Sequence, residues 1–266
     1  MVWSDDPLER PVTTPAVLLH AFPFGPDLWS PVVQDLGSDP SWRHRVHVPA
    51  LPGFAGTPLP GAPPDLAVVA EHIIDMLAAA EHGAPVILGG VSLGGYVAMA
   101  VAGQRPDLLA GLLLIDTKAT TDAEAARKGR LAMAERAERE PSAIGELLVQ
   151  QLMPKLLGST TRSDRPAVVS NVSAWLRQAP PDAVAWYQRA MAQRSNSLDL
   201  LAALDCPTLV LYGDEDELSP SAEQDQVVAV LRAGHRQVVK GVGHLAVVED
   251  PPAVARAIRA FVKRPS

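Results

Sequence analysis

The residues best suited to chemistry lie in Gly90-Val91-Ser92-Leu93-Gly94, with Gly95 directly after. A serine hydroxyl is a weak nucleophile until a neighbouring base takes its proton. The pattern G-x-S-x-G puts such a serine on a sharp turn from strand to helix, with its hydroxyl exposed above a sheet. The context fits, because an apolar run at 85–92 precedes the turn and a helical pattern over Leu93–Gln104 follows it. Glycines two before and two after the serine are needed where side chains would collide with the neighbouring strand or helix. The serine is expected in a strained backbone conformation. The helix N-terminus adds a positive dipole beside a developing oxyanion.

Seven histidines could serve as the base: His20, His44, His47, His72, His82, His235 and His244. His244 is favoured. It stands in Gly241-Val242-Gly243-His244, after the last apolar run and before the last helical pattern. A third group must fix the imidazole tautomer and stabilise the imidazolium. Candidates follow the run 206–213, in Gly213-Asp214-Glu215-Asp216-Glu217. Asp216 is favoured; Asp214 is the runner-up, its alternative reading being a turn residue capping backbone N–H groups; Asp116 is a less favoured position. An oxyanion needs two preorganised N–H donors. The N–H of Leu93 follows the nucleophile, and the N–H of Phe22 lies in the loop after the first apolar run. His20, in the same loop, is expected to brace it by a hydrogen bond.

These residues need a scaffold. Apolar runs at 15–22, 45–51, 85–92, 109–117, 206–213 and 236–241 are each bounded by Pro, Gly or Asp, as buried parallel strands tend to be. Helical patterns at 65–82, Leu93–Gln104 and Pro251–Val262 alternate with them, which predicts a parallel sheet with crossover helices. Asp250 and Pro251 suit the N-cap and first position of the last helix. The alternation breaks over 118–196, where helical segments are separated by Pro141, Pro154, Pro166 and Pro180-Pro181. This stretch reads as a helical insertion. It holds 12 Lys and Arg against 8 Asp and Glu, whereas the whole chain carries a formal charge of −7. Solvated helix faces account for those charges; the sharper alternative is a mildly basic cap favouring an anionic substrate or acidic partner.

Composition narrows the classes. With 47% hydrophobic and 20% charged residues over 266 positions, the chain is expected to be globular, one large domain with an insertion. A net acidic chain lacks the footprint of a nucleic-acid binder. No apolar run approaches the roughly 18–20 residues that span a bilayer. The first residues, Met1-Val2-Trp3-Ser4-Asp5-Asp6, are acidic where a secretory signal would be basic, so a cytoplasmic location is expected. Cys206 is the single cysteine, which leaves no intramolecular disulfide or cysteine-rich zinc site; it reads as a small buried hydrophobe.

Five stretches together resemble the α/β-hydrolase fold family: His20-Ala-Phe-Pro, Leu51-Pro-Gly-Phe-Ala-Gly-Thr, Gly90-Val-Ser-Leu-Gly-Gly, Leu211-Tyr-Gly-Asp-Glu-Asp and Gly241-Val-Gly-His. The order Ser92, Asp216, His244 is the order of that fold. Within the family the chain is similar to small bacterial esterases and lactonases, including carrier-protein methyl-ester carboxylesterases. The resemblance implies a mostly parallel sheet flanked by helices, with a helical cap inserted after the sixth strand. It divides the chain into a core of 1–117 and 197–266 and a cap of 118–196. It departs from the family pattern at Ala21, where glycine is usual, and at Ala50, where an acidic residue would brace the following turn. The short stretch ahead of residue 15 leaves the family's first two strands short or lost.

The reading is a serine hydrolase of a small to medium carboxylic ester or lactone, with no metal or organic cofactor. Its expected partner is a small-molecule ester or lactone substrate; an acidic carrier protein, met by a basic cap, and a homodimer both stay open. Haloperoxidase-like chemistry uses the same triad. An aminopeptidase would need an amine-binding carboxylate such as Glu135, Glu138 or Glu146. A non-catalytic ligand-binding protein of the same fold is the rival from another class. Trp29, Trp175, Trp186, Tyr187 and Met191 are candidates for an apolar pocket or for ordinary packing.

Overall fold

The fold is taken from a computed structural model, which describes residues 14–42, 45–79 and 84–263. Among them, β1 (Ala16–Leu19), β2 (Val46–His47), β3 (Val86–Val91), β4 (Leu109–Ile115), β5 (Thr208–Gly213) and β6 (Gly234–Val239) form one sheet. Its order is β2-β1-β3-β4-β5-β6, and every pair is parallel. Strands β3 and β5 are buried along their whole length and β4 along all but Ala110, so they read as unbroken apolar runs rather than alternations. The edge strand β6 leaves Arg236 and Gln237 exposed, and such charged edges resist pairing with another chain.

Two strands are shorter or shifted against expectation. The run 45–51 yields only Val46–His47, because Pro49 has no N–H for the ladder. The last strand begins at Gly234 and ends at Val239, before Gly241 turns the chain with φ +66°. The helical insertion follows β4, the fourth described strand. Strands expected ahead of β1 would fall on residues 1–13, outside the described residues, as does the end of the helix expected over 65–82.

Helices cover both faces. They are α1 (Ser30–Gly37), α2 (Leu66–Ala79) and α3 (Leu93–Gln104) before β4. Between β4 and β5 run α4 (Glu124–Arg139), α5 (Ile144–Leu156), α6 (Ser159–Asp164), α7 (Pro166–Arg177), α8 (Pro181–Ala192) and α9 (Leu198–Ala203). After β5 come α10 (Ser221–Val230), α11 (Ala246–Glu249) and α12 (Pro251–Val262). Sequence signals explain several ends. Asp250 caps α12 by accepting from the Ala253 N–H at 3.0 Å, and Val254, Ala255, Ile258 and Phe261 bury one face of it. Pro166 and Pro181 open α7 and α8, where a missing N–H costs nothing. Pro154 instead lies inside α5, in its last turn, and does not separate two segments.

The inserted helices are tied to the rest of the chain at several places. Asp122, ahead of α4, binds Lys118 at 3.1 Å and Arg194, beyond α8, at 3.4 Å, so one carboxylate joins the outgoing and returning chain. The α8 residue Tyr187 donates to the Pro52 carbonyl at 2.9 Å, over the loop that follows β2. Pairs such as Arg136–Glu140 and Arg177–Glu146 are exposed and contribute little to stability.

Candidate active site

The candidate residues meet above the carboxyl ends of the strands. The site lies beside the switch point between β1 and β3, where the chain, having run from β1 to β2, crosses back to the other side of β1, which is where open parallel sheets bind ligands. Ser92 follows β3 directly and has φ +51° and ψ −108°, a left-handed conformation that costs a non-glycine residue energy. Its surroundings enforce the turn. A Cβ on Gly90 would overlap the Gly94 backbone, and one on Gly94 would overlap the carbonyl of Leu19 in β1. The Ser92 N–H donates to the Ile115 carbonyl at 3.0 Å, and Thr117 Oγ1 donates to the Ser92 carbonyl at 2.9 Å.

Ser92 Oγ lies 2.8 Å from His244 Nε2. The other ring nitrogen, Nδ1, lies 3.0 and 2.9 Å from the two oxygens of Asp216. This geometry puts the imidazole proton on Nδ1 and leaves Nε2 to accept from the serine. Asp216 is itself fixed: Oδ1 accepts from the N–H groups of Leu218 at 2.8 Å and Ser219 at 3.0 Å, and the Ser219 hydroxyl donates to Oδ2. Burial opposes the carboxylate, but the imidazole and these donors outweigh it and hold Asp216 below its ordinary range. Burial likewise opposes the imidazolium. The charge and hydrogen bond of Asp216, with smaller help from Asp116 and Glu249, hold His244 above its ordinary value.

The other acidic candidates do different work. Asp214 is exposed and accepts from the Gly241 N–H at 2.7 Å, the turn role weighed for it. Asp116, at φ +44° after β4, is fully buried and accepts from Gly213 at 3.0 Å and Ala246 at 2.9 Å. It therefore ties the acid loop to the helix after His244. Burial and the nearby Asp216 push its carboxyl well above the usual range.

Neither the Phe22 nor the Leu93 N–H donates to a backbone carbonyl among the described residues. The loop carrying Phe22 is braced by His20. His20 Nδ1 donates to the Ala21 carbonyl at 3.1 Å, and Nε2 accepts from the Leu51 N–H at 3.0 Å. Phe54 stands edge-on to His20, with ring centres 5.2 Å apart, and Thr57 Oγ1 donates to Leu51 and Phe54 carbonyls at 3.0 and 2.7 Å. These contacts supply the bracing that an acidic residue at position 50 would give. Of the remaining histidines, His47 and His72 are exposed, and His235 packs against Phe261; His44 and His82 lie outside the described residues.

Burial lowers the His20 imidazole to about 4, although its bond to Ala21 raises it slightly, so it is neutral in the native protein at pH 7. The unfolded chain takes up that proton near 6.5. Between those values the unfolded state binds more protons, so stability falls as pH drops, by on the order of 3 kcal/mol in total. Urea midpoints measured from pH 7 to pH 4 should fall, and His20→Gln should flatten the dependence. Parallel curves for the two proteins would refute this account.

Several supporting residues escape sequence reasoning. Gln224 on α10 is fully buried, and its Nε2 donates to the carbonyls of Thr117 and Ser219, both at 2.9 Å. It links the acid loop to the residue that holds Ser92. Ser219 needs a partner 25 residues away to show its use, lying 3.3 Å from His244 Nδ1. The one visible signal is the Ser219-Pro220 pair just ahead of a helix.

The acid and histidine loops also meet the inserted helices, at the corner between α5 and α6. A Cβ on Gly243 would overlap the Gly158 backbone, and one on Gly213 would overlap Val242 and Gly243. Glu215 accepts from the Thr160 N–H at 2.9 Å and the Ser159 hydroxyl at 3.0 Å. Elsewhere, Trp175 with Phe24 and Phe54 lines a cavity of about 270 Å³ beside the Phe22 loop. Trp29, Trp186, Tyr187 and Met191 are buried in packing. The exposed Glu138 and Glu146 pair with Arg189 and Arg177, and Glu135 is exposed, so none faces a buried amine site.

A model described as the alpha/beta hydrolase family matches residues 16–257. The chain is 29% identical over 248 residues to a pimeloyl-[acyl-carrier protein] methyl ester esterase of Sodalis glossinidius, covering 92% of each. It superposes on a thermophilic esterase of Thermogutta terrifontis with a TM-score of 0.87 at 33% identity, covering 94% of this chain and 89% of that one. An enol-lactonase of Burkholderia xenovorans shares the fold, with a TM-score of 0.83 at 17% identity over 96% of this chain and 94% of that one.

Proposed function

The chain belongs to the alpha/beta hydrolase family, and on that premise we propose that it cleaves carboxylic esters through an acyl-enzyme on Ser92. The observation that carries this reading is the unbroken hydrogen-bond line from Ser92 Oγ through His244 to Asp216, at 2.8 and 2.9 Å. His244 takes the hydroxyl proton as Oγ bonds to the ester carbon. The carbonyl electron pair moves to the oxygen, which the N–H groups of Phe22 and Leu93 stabilise. The tetrahedral intermediate collapses, the C–O bond breaks, and His244 returns the proton to the leaving alcohol. Water then attacks the acyl-enzyme by the same route, releasing the acid and the serine. Asp216 keeps the imidazole in the needed tautomer throughout.

In this reading residues 118–196 form a cap over the site and the remainder forms the core. The names of the relatives support an ester of a small to medium acyl group, free or presented on an acyl-carrier protein. No helix among the described residues is long and apolar enough to cross a membrane.

The test is labelling with a fluorophosphonate, followed by mass spectrometry. One phosphonyl group should add at Ser92 and none in Ser92→Ala. Hydrolysis of p-nitrophenyl esters of increasing length should then size the pocket, and a methyl-ester acyl-carrier protein should be compared with the free methyl ester. No label and no turnover on any of these would sink the hydrolase reading.

A further inference from the structure

His244 is held by its backbone as well as by Asp216. Glu249 closes α11 and is only 4% exposed. Its carboxylate takes three backbone N–H groups. Oε1 accepts from Gly243 at 2.9 Å and Leu245 at 3.2 Å, the two neighbours of His244. Oε2 accepts from Gly158 at 2.9 Å, between α5 and α6. The His244 N–H itself donates to the Leu156 carbonyl at 3.0 Å. On the other side, the Glu249 carbonyl accepts from Arg165 at 2.9 Å, and Arg165 also reaches Thr161 Oγ1 at 3.0 Å and the Gly241 carbonyl at 3.4 Å.

Both oxygens of Glu249 face only donors. A carboxylate satisfies that arrangement with charge-assisted bonds. An amide could not, because its NH₂ would confront at least one N–H and leave it buried without an acceptor. The grip closes on both sides of the histidine and extends to the inserted helices.

We propose that Glu249 is a positioning residue for His244: it locks residues 243–245 so that Nε2 stays on Ser92, and it couples that lock to the corner 156–160 of the inserted helices. This rests on the base role given to His244 above. The groups facing the imidazole are Asp216 from the loop after β5, Asp116 from the end of β4, Glu249 from α11 and the hydroxyls of Ser92 and Ser219. Because His244 stands above its ordinary 6.5, the acid limb of kcat/KM has its midpoint above that value. Removing the Glu249 charge lowers it.

The experiment compares Glu249→Gln, Glu249→Asp and Glu215→Gln with the native protein. Glu215 holds the same corner through Ser159 and Thr160 but bonds neither neighbour of His244. The readouts are kcat and KM on p-nitrophenyl acetate, the pH profile of kcat/KM, the His244 titration by NMR and far-UV circular dichroism. Glu249→Gln should lose roughly 10- to 100-fold in kcat with little change in KM. Its acid limb and imidazole titration should move to lower pH. Glu249→Asp keeps the charge but is one methylene short, so the limb should return towards the native position while kcat stays reduced. Glu215→Gln should leave the limb in place. Native kcat and limb in Glu249→Gln would overturn the proposal, as would a loss matched by an unfolded fraction, or an equal limb shift in Glu215→Gln. The NMR titration needs no turnover, so absence of Ser92-dependent hydrolysis in the native protein would defeat the proposed function while leaving this inference tested.

Discussion

Ser92→Ala is expected to lower kcat on a p-nitrophenyl ester by roughly 10⁶-fold, with the fold and melting temperature kept. The hydroxyl is what bonds His244, at 2.8 Å, so its removal takes the nucleophile and leaves the scaffold. Alanine also tolerates the turn no worse than serine does, since both carry a Cβ at φ +51°. The residual rate over water would come from the oxyanion donors and substrate binding alone. Loss of the Ser92 hydroxyl should cost about as much as loss of the His244 imidazole, and the double variant should cost little more, because the groups act as one unit. Additive losses would show that the two do not share a step.

Asp216→Asn carries the second largest expected effect, about 10⁴-fold in kcat. Asparagine is isosteric, so packing survives, but the proton bookkeeping fails. The native carboxylate accepts from Nδ1 of His244 and from three groups of Leu218 and Ser219. An amide nitrogen turned towards Nδ1 would favour the tautomer with its proton on Nε2, facing the serine as a donor. Two comparisons isolate the effect. Asp214→Asn can keep its bond to the Gly241 N–H through the amide oxygen and should retain a near-native rate. Asp116→Asn places an NH₂ against either Gly213 or Ala246 and should fall between the two. Steady-state rates across a pH series check all three. A near-native Asp216→Asn would remove Asp216 from the proposed triad.

The candidate site is more legible in the sequence than the fold around it. Ser92, Asp216 and His244 each stand shortly beyond an apolar run with a glycine within three positions, so chain order alone brings them to one end of a parallel sheet. The helices Leu93–Gln104 and Pro251–Val262 keep the boundaries their caps and prolines imply. Strand β2 is harder to read, because hydrophobicity alone does not weigh Pro49 against the ladder it interrupts. Pro154 misleads because the one ladder bond it removes lies two residues before α5 ends, so the helix runs on to Leu156. Glu249 and Gln224 stay hidden because each binds backbone groups far along the chain, and Ser219 because its His244 partner lies 25 positions away. Glu249 reaches Gly158 across 91 positions and Gln224 reaches Thr117 across 107, and neither side chain belongs to a local pattern.

The glycines at 158, 213 and 243 bear on how such a protein can be re-engineered or can diverge. Three strands of backbone from separate parts of the chain pass there with no room for a methyl group between them. The inserted helices are therefore not an interchangeable module joined only at residues near 118 and 196. A foreign helical segment grafted onto this core would have to carry a glycine at the matching corner, and a carbonyl where Leu156 receives the His244 N–H. Without both, the transplant would displace the histidine loop, so the whole segment cannot be swapped without rebuilding that corner.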